Sequence, residues 1–205
     1  MQFDLNQILA TEYLGQTKAI NQIKPLVSVC VITYNHEEYI EKCIESILEQ
    51  KTNFDFEILL GEDNSSDKTR EICQAYADKY PDRIRLFLRT PDQKIDVDGK
   101  KTWHFNYAAH LYTSQAKYIA WCDGDDYWTF DGKLQKQFYD LEAHPEYVMN
   151  HHHFDKVFPD GLRIPTKVKP KLDANTKDII ENFQIRMCTM FFRNVFQEHP
   201  LPDWF

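Results

Sequence analysis

Hydrophobic and polar positions along this chain switch between two periods, and the switches outline its elements. Leu26 to Ile32 is a near-continuous, β-branched apolar run, as expected of a central parallel strand buried on both faces. After Thr33–Tyr34–Asn35–His36 the apolar positions Ile40, Ile44, Ile47 and Leu48 fall at helical spacing. Glu37, Glu38 and Glu41 favour the first turns of that helix through its dipole. A second strand spans 56–60 and is followed by a polar loop, 61–67. A helix from Thr69 to Lys79 stops before Pro81, and residues 84–88 form a third strand. A Pro/Asp/Gly/Lys loop covers 90–101 and residues 103–115 read as helical. Residues 117–121 feed another strand, and Leu134, Phe138 and Leu141 mark a helix ending near Pro145.

This βαβα order predicts an open, mostly parallel α/β sheet flanked by helices. From Tyr147 the pattern changes. Residues 147–154 and 187–192 look like antiparallel or edge strands, with a short helix near 176–183 between them. Residues 1–24 read as a polar helical lead-in to a single domain, 25–205, whose two parts are 25–145 and 146–205.

At 205 residues the chain can bury a substantial core. Its net charge of −8 argues against a nucleic-acid partner. Cys30, Cys43, Cys73, Cys122 and Cys188 are scattered and odd in number, which fits buried thiols in a reducing cytoplasm better than a disulfide framework. The start has no signal-peptide pattern. No apolar run approaches the roughly 20 residues needed to span a bilayer, so contact with a membrane would be peripheral, at its inner face.

The chemistry concentrates where Tyr118–Trp121 runs into Asp123–Gly124–Asp125–Asp126. Three carboxylates within four residues raise one another's pKa unless a cation lies between them. Oxygen ligands suit a hard ion, Mg²⁺ or Mn²⁺. An acidic turn between strand and helix is the bland alternative. In a parallel sheet the loops after the first, second and fourth strands open on one edge, where such sheets bind ligands. Those loops carry Thr33–His36, Glu62–Asp67 and Asp123–Asp126. Glu62 and Asp63 are expected to face a ligand, while Ser66 or Asp67 caps the next helix. Neither a GxGxxG nor a Walker loop occurs, and an EF-hand placed on Asp123 fails because Tyr127 and Trp128 fall at ligand and glycine positions. With no backbone cradle, a phosphate would be neutralised by metal.

Four stretches taken together resemble family 2 glycosyltransferases. They are residues 25–35 with 46–50, residues 56–67, Phe105–Asn106–Tyr107–Ala108, and Asp123–Asp126, which looks like the family's DxD signature. The resemblance implies a GT-A fold. It also implies inverting transfer of a hexose-like sugar from a nucleotide-diphospho-sugar, a UDP-sugar by family frequency, onto a glycan or lipid-linked acceptor hydroxyl, as in surface polysaccharide synthesis. Thr33, Tyr34 and Asn35 would then line the base pocket and Asp63 would bond the base edge. Asp123 would approach the ribose, and Asp125 or Asp126 would hold the Mg²⁺ or Mn²⁺, with the choice between them open. Glu37 and Lys101, with Lys100, would reach the nucleotide, although a solvated loop also explains the lysines.

Inverting transfer needs a general base, which the resemblance places after a segment like 201–205. The base is therefore expected beyond Phe205, Asp203 being the nearby carboxylate, and the chain would end before its acceptor half is complete. On that ground a non-enzymatic nucleotide- or metal-binding module competes with the enzyme. A sugar nucleotidyltransferase is disfavoured because the first loop lacks glycines and basic residues. His151 and His153 would share a face if 147–154 is a strand and so invite a metal reading. Tyr127, Trp128 and Trp204 could stack on a sugar, with packing favoured for Trp128.

Overall fold

The computed structural model describes residues 5–15, 24–97, 100–102, 104–166, 177, 185–196 and 198–199. The chain opens with helix α1 (Leu5–Leu9) and continues through strand β1 (Val27–Thr33), α2 (Ile40–Leu48), β2 (Phe56–Glu62), α3 (Thr69–Lys79) and β3 (Ile84–Leu88). A small hairpin of β4 (Ile95–Val97) and β5 (Lys100–Thr102) precedes α4 (His104–Thr113), β6 (Tyr118–Trp121) and α5 (Lys133–Ala143). The remaining strands are β7 (Met149–Asn150), β8 (Asp155–Val157), β9 (Arg163–Pro165) and β10 (Phe191–Arg193).

Among the described residues the main sheet has six strands in the order β3-β2-β1-β6-β10-β7. β1, β2, β3 and β6 run parallel, with Val27 opposite Phe56 on one side and Tyr118 on the other. β10 is antiparallel to both β6 and β7, as the change of pattern after Tyr147 predicts.

The unbroken apolar run in β1 has its cause in two cores, one per face. Val27, Val29 and Val31 pack with Ile40, Ile44, Ile47, Ile58, Leu60, Leu134 and Leu141 beneath α2, α3 and α5. Cys30, with Leu59, Phe87, Ile119 and Trp121, packs against Ala108 and Leu111 of α4. A strand flanked by parallel neighbours and covered by helices on both sides has no solvent face, so it needs no polar alternation.

Four local expectations are corrected. The lead-in is not helical throughout: after α1, residues 11–13 extend along the outer edge of β3. Tyr13 N–H donates to the Leu86 carbonyl at 2.7 Å and Leu88 N–H to the Thr11 carbonyl at 2.9 Å. An edge strand leaves backbone groups unpaired, and this segment satisfies part of that row. The 90–101 loop holds a 3₁₀ turn, Pro91–Gln93, and the β4–β5 hairpin. In the 147–154 run only Met149–Asn150 is strand, and His151–His153 are irregular. Their facing by strand alternation therefore does not apply. In the 187–192 run a 3₁₀ turn, Met187–Thr189, precedes the strand. Of the expected helix at 176–183, all but Lys177 lies outside the described residues.

Candidate functional site

Parallel pairing brings the ends of β1, β2 and β6 to one edge. Asp63 N–H donates to the Thr33 carbonyl at 3.0 Å, and Gly124 N–H donates to the Ile32 carbonyl at 2.8 Å. The acidic loop therefore sits directly on the end of the central strand. Gly124 is there for space: a Cβ would lie 2.6 Å from Thr33 Oγ1, 2.7 Å from Thr33 Cβ and 2.9 Å from His36 Nδ1. Thr33 itself is buried, its hydroxyl 3.3 Å from His36 Nδ1.

The first two loops are stitched together. Asn35, held at φ +52°, accepts the Ser66 N–H on Oδ1 at 2.9 Å, and its own N–H donates to Ser65 Oγ at 2.9 Å. Glu37 accepts the Lys68 N–H at 2.9 Å while its N–H donates to Asp67 Oδ2 at 3.1 Å. Asp67 Oδ1 also accepts the Thr69 N–H at 3.0 Å, the capping role expected at the start of α3. Glu62 does not face a ligand. It is fully buried, ion-paired with Arg70, and accepts the Ser65 N–H at 2.6 Å.

Asp63 and Tyr34 meet through Lys94, which the sequence offered no reason to single out from a loop of Pro, Asp and Lys. Lys94 Nζ lies 3.3 Å from Asp63 Oδ2 and 4.2 Å from the centroid of the half-exposed Tyr34 ring. Burial raises the Asp63 carboxyl, and the Lys94 ammonium opposes that shift. Lys101 lies on β5, but its side chain is outside the described residues, as is Asp203.

In the acidic loop Trp121, stacked on Tyr107 with ring centroids 3.9 Å apart, donates from Nε1 to Asp123 Oδ1 at 3.1 Å. Burial, reinforced by Asp126 and Asp125, pushes the Asp123 carboxyl up to about 6. Asp126 is also raised, chiefly by burial. The Cys188 thiol, Arg186 and His36 oppose that shift, and Asp125 adds to it. Asp125 is exposed. Among the described residues no group of three or more His, Cys, Asp or Glu side chains is arranged to hold a metal, and His151–His153 add none. Trp128 is packing: its Nε1 donates to the Cys188 carbonyl at 3.0 Å and its ring lies under Lys133 Nζ at 3.9 Å. Tyr127 accepts from Arg163 of β9 at 3.2 Å, and Trp204 lies outside the described residues.

The raised Asp123 carboxyl has a measurable consequence. A carboxyl with a folded pKa above its unfolded value holds its proton more tightly when folded, so it costs stability as pH rises through about 6. Asp123→Asn in the metal-free chain is expected to gain about 1–2 kcal/mol at neutral pH. That gain should fade as pH falls through about 6. Urea denaturation across pH checks it, and a gain that does not vary with pH would contradict it.

Comparisons with known proteins establish the family of the chain. The sequence model described as "Glycosyl transferase family 2" matches residues 28–199, and the chain belongs to that family. It is 36% identical over 114 residues to the putative teichuronic acid biosynthesis glycosyltransferase TuaG of Bacillus subtilis, covering 56% of this chain and 41% of that protein. It is 34% identical over 137 residues to the uncharacterized protein Rv1520 of Mycobacterium tuberculosis, covering 67% of this chain and 37% of that one. The chain thus spans about 40% of the length of these curated relatives. The crystal structure of S. aureus TarS 1–349 in complex with UDP-GlcNAc matches with a TM-score of 0.53 at 21% identity. That match covers 84% of this chain and 46% of that one, and supports the GT-A fold. No helix among the described residues is long and apolar enough to cross a membrane.

Proposed function

We propose that this edge is the donor site of a metal-dependent, inverting glycosyltransferase that moves a sugar from a nucleotide-diphospho-sugar to an acceptor hydroxyl in polysaccharide biosynthesis. The observation that carries this reading is the seating of the acidic loop against β1. Gly124 packs on Thr33, so the Asp123–Asp126 carboxylates lie at the strand edge that also carries Tyr34 and Asp63. TuaG, named for teichuronic acid biosynthesis, and TarS, solved with UDP-GlcNAc, support a UDP-sugar donor and a cell-surface polymer.

Tyr34 offers an exposed ring for the base to stack on, and Asp63 offers an acceptor for a base N–H. Thr33, Asn35 and Glu37 shape the pocket, Asn35 and Glu37 by tying the first loop to the second. Asp123, oriented by Trp121, presents its free oxygen to the ribose. The family resemblance alone assigns Lys101 to the nucleotide.

The donor set fits Mg²⁺ or Mn²⁺. The Asp123 and Asp126 carboxyls are raised by burial and by neighbouring carboxylates, Asp125 among them, which a divalent cation would reverse. Such ions bound with phosphate need only one or two carboxylates, a number that Asp125 and Asp126 can supply. When bound, the cation would neutralise the diphosphate leaving group. Asp126 is half-buried, while Asp125 is exposed.

Calorimetry with UDP, GDP and dTDP, each with and without Mn²⁺, tests the reading. UDP binding strengthened by the metal is expected, and no metal-dependent nucleotide binding would overturn it.

A further inference from the structure

Arg89 follows β3 and is fully buried. Its Nε donates to Asn106 Oδ1 at 3.1 Å, and Nη1 donates to Thr11 Oγ1 at 2.7 Å and to the Ile8 carbonyl at 3.3 Å. Nη2 has no partner among the described residues. Asn106 in turn donates to the Gly61 carbonyl at 3.0 Å, two residues before Asp63. Burial pulls the guanidinium down to about 9, and the attraction of Asp63 opposes that shift. A buried cation with no carboxylate in contact is costly, so its position calls for a cause.

The clamp on Arg89 comes from a segment that precedes the family match at 28–199. Residues 11–13 pair with the edge of β3, and Glu12 holds Arg85 through two bonds of 3.0 Å. Ile8 is fully buried.

We infer that Arg89, clamped by the N-terminal segment, is a positioning residue for the donor: it is the fixed counter-cation that keeps Asp63 a carboxylate when the incoming base displaces Lys94. The inference rests on the donor-pocket reading above. Lys94 Nζ occupies the space between Tyr34 and Asp63, which is where a base stacked on the ring and bonded to the carboxylate would go. Among the described residues the charged groups facing Asp63 are Lys94, Glu62 and Arg89. Glu62 adds negative charge and is ion-paired with Arg70. With Lys94 moved aside, Arg89 is the cation that remains among the described residues. Without it, the nearly buried Asp63 takes up a proton more readily. A protonated oxygen then faces the N–H of a base where an acceptor is needed.

The test is calorimetric binding of UDP with Mn²⁺ at about pH 5 and about pH 8, for the parent chain, Arg89→Gln, Arg89→Lys and Thr11→Val. In Arg89→Gln the affinity is expected to fall between the higher and the lower pH by about tenfold more than in the parent. Arg89→Lys should restore the parent's ratio, and Thr11→Val should move it in the same direction as Arg89→Gln. A lost hydrogen bond alone would weaken binding equally at both pH values, so an unchanged ratio in Arg89→Gln overturns the inference even if the variant melts earlier. If Arg89→Gln does not fold, an unchanged ratio in Thr11→Val overturns it instead. A parent chain that binds no UDP at either pH overturns the donor-pocket reading itself.

Discussion

Loss of the direct metal ligand, in Asp125→Asn or in Asp126→Asn, is expected to cut metal-dependent donor turnover by roughly 100- to 1,000-fold, equivalent to several kcal/mol of lost stabilisation of the leaving diphosphate. UDP binding measured without metal should change far less, because the contacts proposed for the base and ribose lie on other residues. The two variants separate the candidates. The direct ligand is the one whose loss removes the difference between binding with and without Mn²⁺. Asp126 is half-buried, whereas Asp125 is exposed. Asp126→Asn should therefore also perturb folding, and a thermal melt distinguishes that from a loss confined to the metal. Undiminished metal stimulation in both variants would refute the assignment.

Gly124→Ala is the second large effect. Its new methyl would overlap Thr33 and the His36 ring at 2.6–2.9 Å, below any ordinary Cβ contact. Thr33 ends the central strand and is fully enclosed, so the acidic loop has to move instead. We expect a cost of about 2–3 kcal/mol, seen as a melting temperature lower by roughly 5–10 °C. We also expect loss of metal-dependent UDP binding, because the Asp123–Asp126 carboxylates shift from the base pocket. A variant that binds UDP as the parent does would show that the loop's seating on β1 is not what builds the site.

These two positions differ in how visible they were beforehand. The carboxylates announced themselves by spacing and by the strand ahead of them. Gly124 looked like an ordinary turn glycine, and its role depends on Thr33, 91 positions earlier in the chain. Glu62 and Asp63 were indistinguishable as neighbours in a polar loop. Because strand side chains alternate, the fold turns Glu62 inward onto Arg70 and leaves Asp63 beside Lys94 and Tyr34. Lys94 and Arg89 carried no signal, since a lone lysine in a loop and a lone arginine after a strand are common.

The sequence by itself determined the parallel α/β order and the run of carboxylates that follows the fourth parallel strand. Those features follow from local periodicity and from residue types that repel water or one another. Only the tertiary structure decided that residues 11–13 close the edge of β3, that His151–His153 leave the strand, and which polar side chains are structural. Each of those outcomes rests on pairing between distant segments, and one residue's burial or partner is set by backbone that lies far from it in sequence.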